Sequence, residues 1–140
     1  MRPESKRLHA TCVSIDGKGI LLLGASGSGK SDLALRLIDS GAQLIADDQV
    51  EIVKTKNALL ASPPAKLCGL IEARGVGILK LPYMQNVPLV LAVELVARKE
   101  VERLPDPAFF SCLALRLPLL SLHAFDNSTC AKIRLFSQAV

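Results

Sequence analysis

The stretch GASGSGKS, Gly24 to Ser31, follows the apolar run Ile20-Leu21-Leu22-Leu23 and leads into SDLALRLIDS, Ser31 to Ser40. It fits the pattern Gly-x4-Gly-Lys-[Ser/Thr] at Gly24, Gly29, Lys30 and Ser31. Leu33, Ala34, Leu37 and Ile38 recur on one helical face, and Gly41 stands where that helix stops. A buried strand, a glycine loop and a helix in this order specify one unit of an α/β sheet, which a chance glycine-rich turn would not. Each residue type in the loop has a chemical reason. Glycines let backbone N–H groups turn inward around a phosphate with no Cβ in the way, and the helix behind adds the positive end of its dipole. Lys30 supplies a compact charge for terminal phosphate oxygens. Ser31 offers a hydroxyl to Mg2+, a hard cation that prefers oxygen ligands and keeps several waters. Ala25, Ser26, Gly27 and Ser28 complete a nucleotide-binding loop.

On the loop's N-terminal side, HATCVSI (His9–Ile15) and KGILLLG flank Asp16-Gly17. Asp-Gly between two strand-like runs predicts a hairpin, because both turn residues tolerate positive φ. The register pairs Ile15 with Lys18 and Val13 with Ile20; counted outward, it puts His9 opposite Gly24, at the mouth of the loop. On the C-terminal side, Gln43 to Asp48 reads as a short buried strand ending in two carboxylates. It continues through Val50 and Ile52 to a hairpin at Lys56-Asn57 and on to Ala58-Leu59-Leu60, and Pro63-Pro64 reads as a surface loop. Leu70–Pro82 and Leu89–Val96 read as sheet, and Ala97–Leu104 as a short charged helix. Leu113–Leu122 reads as a strand broken at Pro118, and a last helix runs through Phe136 with Ser128 as its cap.

Asp47-Asp48 is the second chemical element. Phosphoryl transfer needs a carboxylate near Mg2+ and, where the acceptor is a hydroxyl, a carboxylate to take its proton. A strand-end pair is often merely solvated, but this one follows directly on the loop's own helix. Glu72, in IEARGVG, reads either as a second metal ligand or as a strand carboxylate facing Arg74. His9 by itself reads more often as a structural histidine, and its register brings the active-site reading level with that one. His123, Arg98 and Arg103 have no spacing that separates them from surface residues.

A chain of 140 residues, half of them hydrophobic, is sized for one domain spanning 1–140. The net charge of +4 is spread along the chain, with one Tyr, four Phe and no Trp, so the basic, aromatic-rich face of a nucleic-acid binder is missing. Cys12, Cys68, Cys112 and Cys130 form no Cys-x-x-Cys pair and read as reduced, mostly buried residues. Apolar runs fall well short of the roughly 20 residues that cross a bilayer. The basic start, Met1 to Arg7, has no signal-peptide core after it. A cytoplasmic protein with no membrane or nucleic-acid partner is expected.

Three stretches together resemble the catalytic domain of HPr kinase/phosphorylase, which acts on a serine of HPr, the phosphocarrier of the bacterial sugar phosphotransferase system. They are GASGSGKSDLALRLIDSGAQLIADDQVEI (Gly24–Ile52), the histidine of LHATCVSIDGKGILLLG, and IEARGVGIL (Ile71–Leu79). The resemblance spans roughly residues 8 to 104. It implies an α/β fold, a P-loop-containing mixed sheet of the phosphoenolpyruvate carboxykinase-like type, in the short single-domain form of the family. It further implies an ATP- and Mg2+-dependent serine kinase acting on an HPr-like phosphocarrier, with phosphorolytic dephosphorylation as the reverse reaction, and a homo-oligomer, commonly a hexamer. By the same resemblance His9 is the active-site histidine, Lys30 the loop lysine, Ser31 and Glu72 the Mg2+ ligands, and Arg103 a further active-site arginine with Arg98 the fallback. One of Asp47 and Asp48 is the base, the second being preferred. The family's Pro-x-x-Pro-Gly-Arg-type segment is replaced here by LPLLSLHAFDNS, Leu117 to Ser128. Two other readings compete. A small-molecule kinase would want a lid of clustered arginines, which the chain lacks; a nucleotide-sensing module would bind and transfer nothing.

Overall fold

A computed structural model describes residues 4–140. Met1 to Pro3, and with them part of the basic start, lie outside the described residues. The elements in order are β1 (Ser5–Leu8), β2 (Thr11–Ile15), β3 (Lys18–Leu23), α1 (Lys30–Asp39), β4 (Gln43–Ala46), β5 (Val50–Lys54), β6 (Leu59–Ser62), β7 (Leu70–Ala73), β8 (Gly77–Lys80), β9 (Val87–Leu95), β10 (Ala108–Cys112), β11 (Leu115–Leu122) and α2 (Thr129–Ser137). Nine strands form one mixed sheet along the path β1-β5-β6-β9-β3-β2-β4, with β11 also on β9 and β10 on β11; β7 and β8 pair apart from it. This is the expected α/β class. Among the described residues no helix is long and apolar enough to cross a membrane.

The β2–β3 hairpin closes as expected: Asp16 and Gly17 have φ of 52° and 79°, and Ile15 pairs with Lys18, Val13 with Ile20. The sheet's centre reads apolar on both faces because both are buried. Ile20 and Leu22 of β3, with Leu91 and Val93 of β9, join Leu33 and Leu37 of α1 and Ile133 of α2 on one side. Leu21, Ala92 and Cys12 join Val50, Ile52, Leu59 and Leu117 on the other. Burial raises the Cys12 thiol pKa far above its ordinary value, and all four cysteines are unpaired.

Strand directions place the site. β3, β9 and β11 are mutually parallel, and β4, antiparallel to β2 as β2 is to β3, runs the same way. The C-terminal ends of all four strands therefore reach one edge, where β2 begins; ligands in such sheets bind at that edge.

Several local expectations are corrected. The β2–β3 ladder ends at Thr11↔Leu22, so His9 is not paired with Gly24. Ala10 N–H donates to Asp48 O (3.1 Å) instead, and His9 sits in the bend between β1 and β2. Ala97–Leu104 forms only a single 3-10 turn at Arg98–Glu100. Pro118 does not break β11: it faces Phe109 of β10, and pairing with β9 begins only at Leu119, so its missing N–H costs no bond there. Pro63 and Pro64 are buried rather than on the surface. Ser128 precedes α2 but its side chain makes no capping bond; Thr129 Oγ1 donates to His123 O instead.

Candidate active site

Gly24 to Gly29 join the end of β3 to α1. Gly24, Gly27 and Gly29 have φ of 150°, 81° and 99°, values that side-chain-bearing residues rarely adopt. A Cβ at Gly24 would lie 2.6 Å from Ser28 Oγ; one at Gly29 would lie 2.8 Å from both Ala124 Cβ and Phe125 Cζ. No side chain caps the start of α1, so its first N–H groups remain available to an anion. Lys30 is 7% exposed, and its ammonium donates to Gly24 O (2.8 Å) and Ala25 O (3.0 Å).

The two aspartates divide their directions. Asp48 has φ of 68°, a left-handed position Asp tolerates, and this turns neighbouring side chains apart. Asp47 is 8% exposed; its Oδ1 accepts from Ser31 Oγ (2.6 Å) and Thr11 Oγ1 (3.0 Å), and its Oδ2 from Glu72 N–H (3.1 Å). Asp48 faces solvent, with Oδ1 2.7 Å from His9 Nε2. With the carboxylate ionised, the imidazole N–H is the donor. Asp47 therefore holds the loop serine, while Asp48 has a free oxygen steadied by histidine.

A cavity of about 400 Å³ gathers these groups, within the range of small-molecule sites. Its wall includes His9, Lys30, Ser31, Asp48, Glu72 and Phe125. Ser26, Gly27 and Gly29 also reach it, whereas Gly24 and Ala25 face Lys30. A smaller cavity of about 270 Å³ shares Ser31, Asp48 and Glu72 with the first and adds Asp47, Leu67, Leu70, Ile71 and Ile78. Glu72 is exposed on β7, and no ion pair to Arg74 forms among the described residues. Arg103 is exposed and lines neither cavity. The fallback, Arg98, donates to Asp126 Oδ1 (2.7 Å) and holds that carboxyl below its ordinary pKa.

Sequence reasoning missed Thr11, Leu35 and Phe125 as lining residues. The hairpin register carried a signal for Thr11, the first residue of β2. None existed for Phe125, which reaches the loop only because β11 docks parallel to β9.

The family model described as HPr Serine kinase C-terminal domain matches residues 3–103. The chain belongs to this family. It is 41% identical over 96 residues to the HPr kinase/phosphorylase of Clostridium tetani, covering 69% of this chain and 31% of that protein. With the HPr kinase/phosphorylase of Caldicellulosiruptor bescii it shares 37% identity over 124 residues, covering 80% of this chain and 40% of that protein. The chain thus spans about a third of the length of the curated relatives it matches. The solved structure of the Hpr(Ser) kinase/phosphatase from Coxiella burnetii superimposes with a TM-score of 0.84 at 26% identity, covering 96% of this chain and 89% of that one. The family's fold extends through β11 and α2, beyond the residues that the family model matches.

Proposed function

We propose that this chain, acting as one catalytic domain, is an ATP- and Mg2+-dependent kinase that phosphorylates a serine of an HPr-like phosphocarrier protein. The observation that carries the reading is the convergence on one sheet edge of the uncapped glycine loop, the Ser31–Asp47 pair and the Asp48–His9 pair. The residues fit the groups required. At Gly24 and Gly29 a Cβ would strike Ser28 Oγ, Ala124 Cβ and the Phe125 ring, so the loop's path needs glycine there, while Gly27 leaves open space on the cavity side. The donors beside it are a hydroxyl and carboxylates, all hard oxygens. That suits Mg2+, which takes few protein ligands and keeps its waters. Ser31 and Glu72 would hold the ion, with Asp47 orienting the Ser31 hydroxyl. Bound there with ATP, Mg2+ supplies positive charge against the terminal phosphates.

The chain's own residues do the rest. The loop N–H groups from Ser26 to Ser31, other than that of Ser28, which donates to Ala25 O, hold the phosphates, and Lys30 adds a fixed charge where negative charge builds up during transfer. Asp48 is the base: it takes the proton from the acceptor serine as the serine oxygen bonds to phosphorus and the bond to the leaving diphosphate breaks. His9 donates to the other side of Asp48 and fixes its orientation. Arg103, exposed and away from both cavities, takes no part inside this pocket in the proposal, and Arg74 on the cavity wall is the nearer cation. The same positions would serve phosphorolysis, in which inorganic phosphate bonds to the phosphoserine phosphorus, the bond to the serine oxygen breaks, Asp48 passes the phosphate's proton to that oxygen and pyrophosphate leaves. We place the protein in the cytoplasm as a homo-oligomer, a hexamer by family resemblance; exposed Val76, Ile78, Leu104, Phe109 and Leu135 offer apolar surface for assembly.

The test is incubation with ATP, Mg2+ and a purified HPr-type phosphocarrier, read by mass spectrometry for phosphoserine. Nucleotide binding without phosphoserine would favour the sensing module, and phosphorylation of free sugars or nucleotides would favour a small-molecule kinase.

A further inference from the structure

The segment His123–Asp126, which follows β11, puts one residue, Phe125, on the wall of the larger cavity. Arg36 Nη2 donates to Ala124 O and Thr129 Oγ1 to His123 O. His123 Nδ1 donates to Val96 O at 2.9 Å, and Arg98 Nε to Asp126 Oδ1 at 2.7 Å. Four side-chain bonds from β9's end, α1, α2 and the segment itself therefore hold a stretch of four residues in one conformation. What they hold up is a phenyl ring. Phe125 is 54% exposed, lines the cavity beside Gly29 and Leu35, and touches His123 only edge to face, with centroids 5.8 Å apart at 72°. Its remaining ring surface has no aromatic partner among the described residues. A lone exposed phenylalanine is ordinary. An exposed one held this tightly, on the wall of a cavity that also contains a phosphate-type loop, is a pre-formed platform.

We propose that Phe125 is the stacking platform for the base of the donor nucleotide, and so decides whether the loop takes a nucleotide in preference to a bare polyphosphate. The inference rests on reading Gly24–Ser31 as a phosphate cradle. Any molecule whose phosphates enter the loop must lead the remainder of its structure out along the cavity, whose apolar wall is Leu35, Ala73 and Phe125. A planar base gains from a fixed aromatic face because little ordering entropy remains to be lost. Inorganic triphosphate, with no planar part, gains nothing from it.

The experiment is calorimetric titration of the full chain with Mg2+-ATP and, separately, with Mg2+-triphosphate, for the wild type and three variants. Phe125→Ala removes the ring, Phe125→Leu keeps apolar bulk against Gly29 without a planar face, and Phe125→Tyr restores the face. ATP affinity is expected to fall about tenfold in the Ala and Leu variants, equivalent to ~1.4 kcal/mol and at the low end for base–aromatic stacking. It is expected to stay near wild type in the Tyr variant, with triphosphate binding unchanged throughout. Wild-type ATP affinity in Phe125→Leu overturns the assignment, since bulk alone would then suffice. Parallel loss of ATP and triphosphate overturns it too, because the ring would then be acting through its packing on Gly29. If the wild type binds triphosphate as tightly as ATP, this inference falls while the phosphate cradle stands; if it binds neither, both fall together.

Discussion

Asp47 offers the sharpest separation of stability from chemistry. It is 8% exposed and accepts from Ser31 Oγ at 2.6 Å, Thr11 Oγ1 at 3.0 Å and Glu72 N–H at 3.1 Å. Asp47→Asn can keep all three contacts. Its amide nitrogen takes the place of Oδ1 and donates to the two hydroxyl oxygens, whose O–H bonds rotate away, while its carbonyl accepts from Glu72 N–H. The charge-assisted part of the bonding is lost and the Thr11 O–H, fully buried, is left without its acceptor; together these cost about 1–2 kcal/mol. Asp47→Ala strands the Glu72 N–H, which is fixed in β7 and cannot rotate, and also leaves a void; together these cost about 2–4 kcal/mol. At ~3 °C per kcal/mol for a domain of this size, calorimetry gives a Tm lower by about 3–6 °C for Asn and about 6–12 °C for Ala. Transfer follows the opposite logic. In Asp47→Asn the Ser31 hydroxyl accepts where it formerly donated, so a lone pair that faced the cavity is consumed; phosphoserine formation drops by ~10- to 100-fold, as is usual when the partner of a metal ligand changes. Equal Tm losses in the two variants would refute the hydrogen-bond argument, and wild-type transfer in the Asn variant would refute the role given to Ser31.

Gly29→Ala forces φ of 99° on a residue with a side chain and drives its Cβ to 2.8 Å from Ala124 Cβ and the Phe125 ring, so urea denaturation loses about 1–3 kcal/mol; an unchanged midpoint refutes the close packing. Lys30→Met leaves secondary structure by circular dichroism intact while phosphoserine formation falls below detection, and a Tm loss without any loss of transfer would make this lysine a purely structural clamp on Gly24 and Ala25. His9→Phe, a change in an exposed bend, leaves Tm within ~1 °C but slows transfer by ~10- to 100-fold through loss of the Asp48 contact; full activity would return His9 to the surface residues. The Arg98 hydrogen bond lowers the Asp126 carboxyl pKa in the folded state, so its stabilisation is present above the ordinary carboxylate pKa of ~4 and is lost as pH falls through the depressed folded value. The Tm gap between wild type and Arg98→Ala should therefore close on acidification. A gap of equal size in acid and at neutral pH would show that Arg98 acts by packing alone.

What could be read from sequence tracks how locally each feature is encoded. The β2–β3 hairpin was legible because Asp16-Gly17 advertises left-handed backbone, and α1 because its apolar spacing and the glycine loop agree. The β10–β11 hairpin turns on Leu113 and Ala114, with φ of 49° and 66°; neither residue type signals such a turn, and β10 went unrecognised. β1, SKRL, is an exposed edge strand whose charged residues resemble a tail, so the bend that places His9 was invisible although His9's neighbourhood was foreseen. The Asp47-Asp48 pair was recognised as chemistry, but its division of labour depends on the left-handed φ of Asp48 and on Thr11 arriving from β2, which are tertiary facts. Phe125 depends on a pairing 27 residues apart, Leu119 with Ala92, and no short-range pattern encodes that.

One consequence of the topology joins these observations. The loop, Asp47, Thr11 and Glu72 all lie inside residues 3–103, the span matched by the family model, and each is tied to a neighbour by hydrogen bonds of about 3 Å or less or by the loop's own backbone. His123–Asp126 lies outside that span, yet it is pressed against Gly29 at the start of α1. A substitution in this later segment can therefore act on the loop without touching the groups that would hold phosphate or take a proton. In the proposed reading, chemistry and donor choice would sit on separate strands of one sheet, β3 and β4 for the first and β11 for the second, and would meet only at their C-terminal edge. Variation along β11 and its following turn would then be free to change what enters with the phosphates, while variation at Ser31, Asp47 or Asp48 would change whether anything is transferred at all.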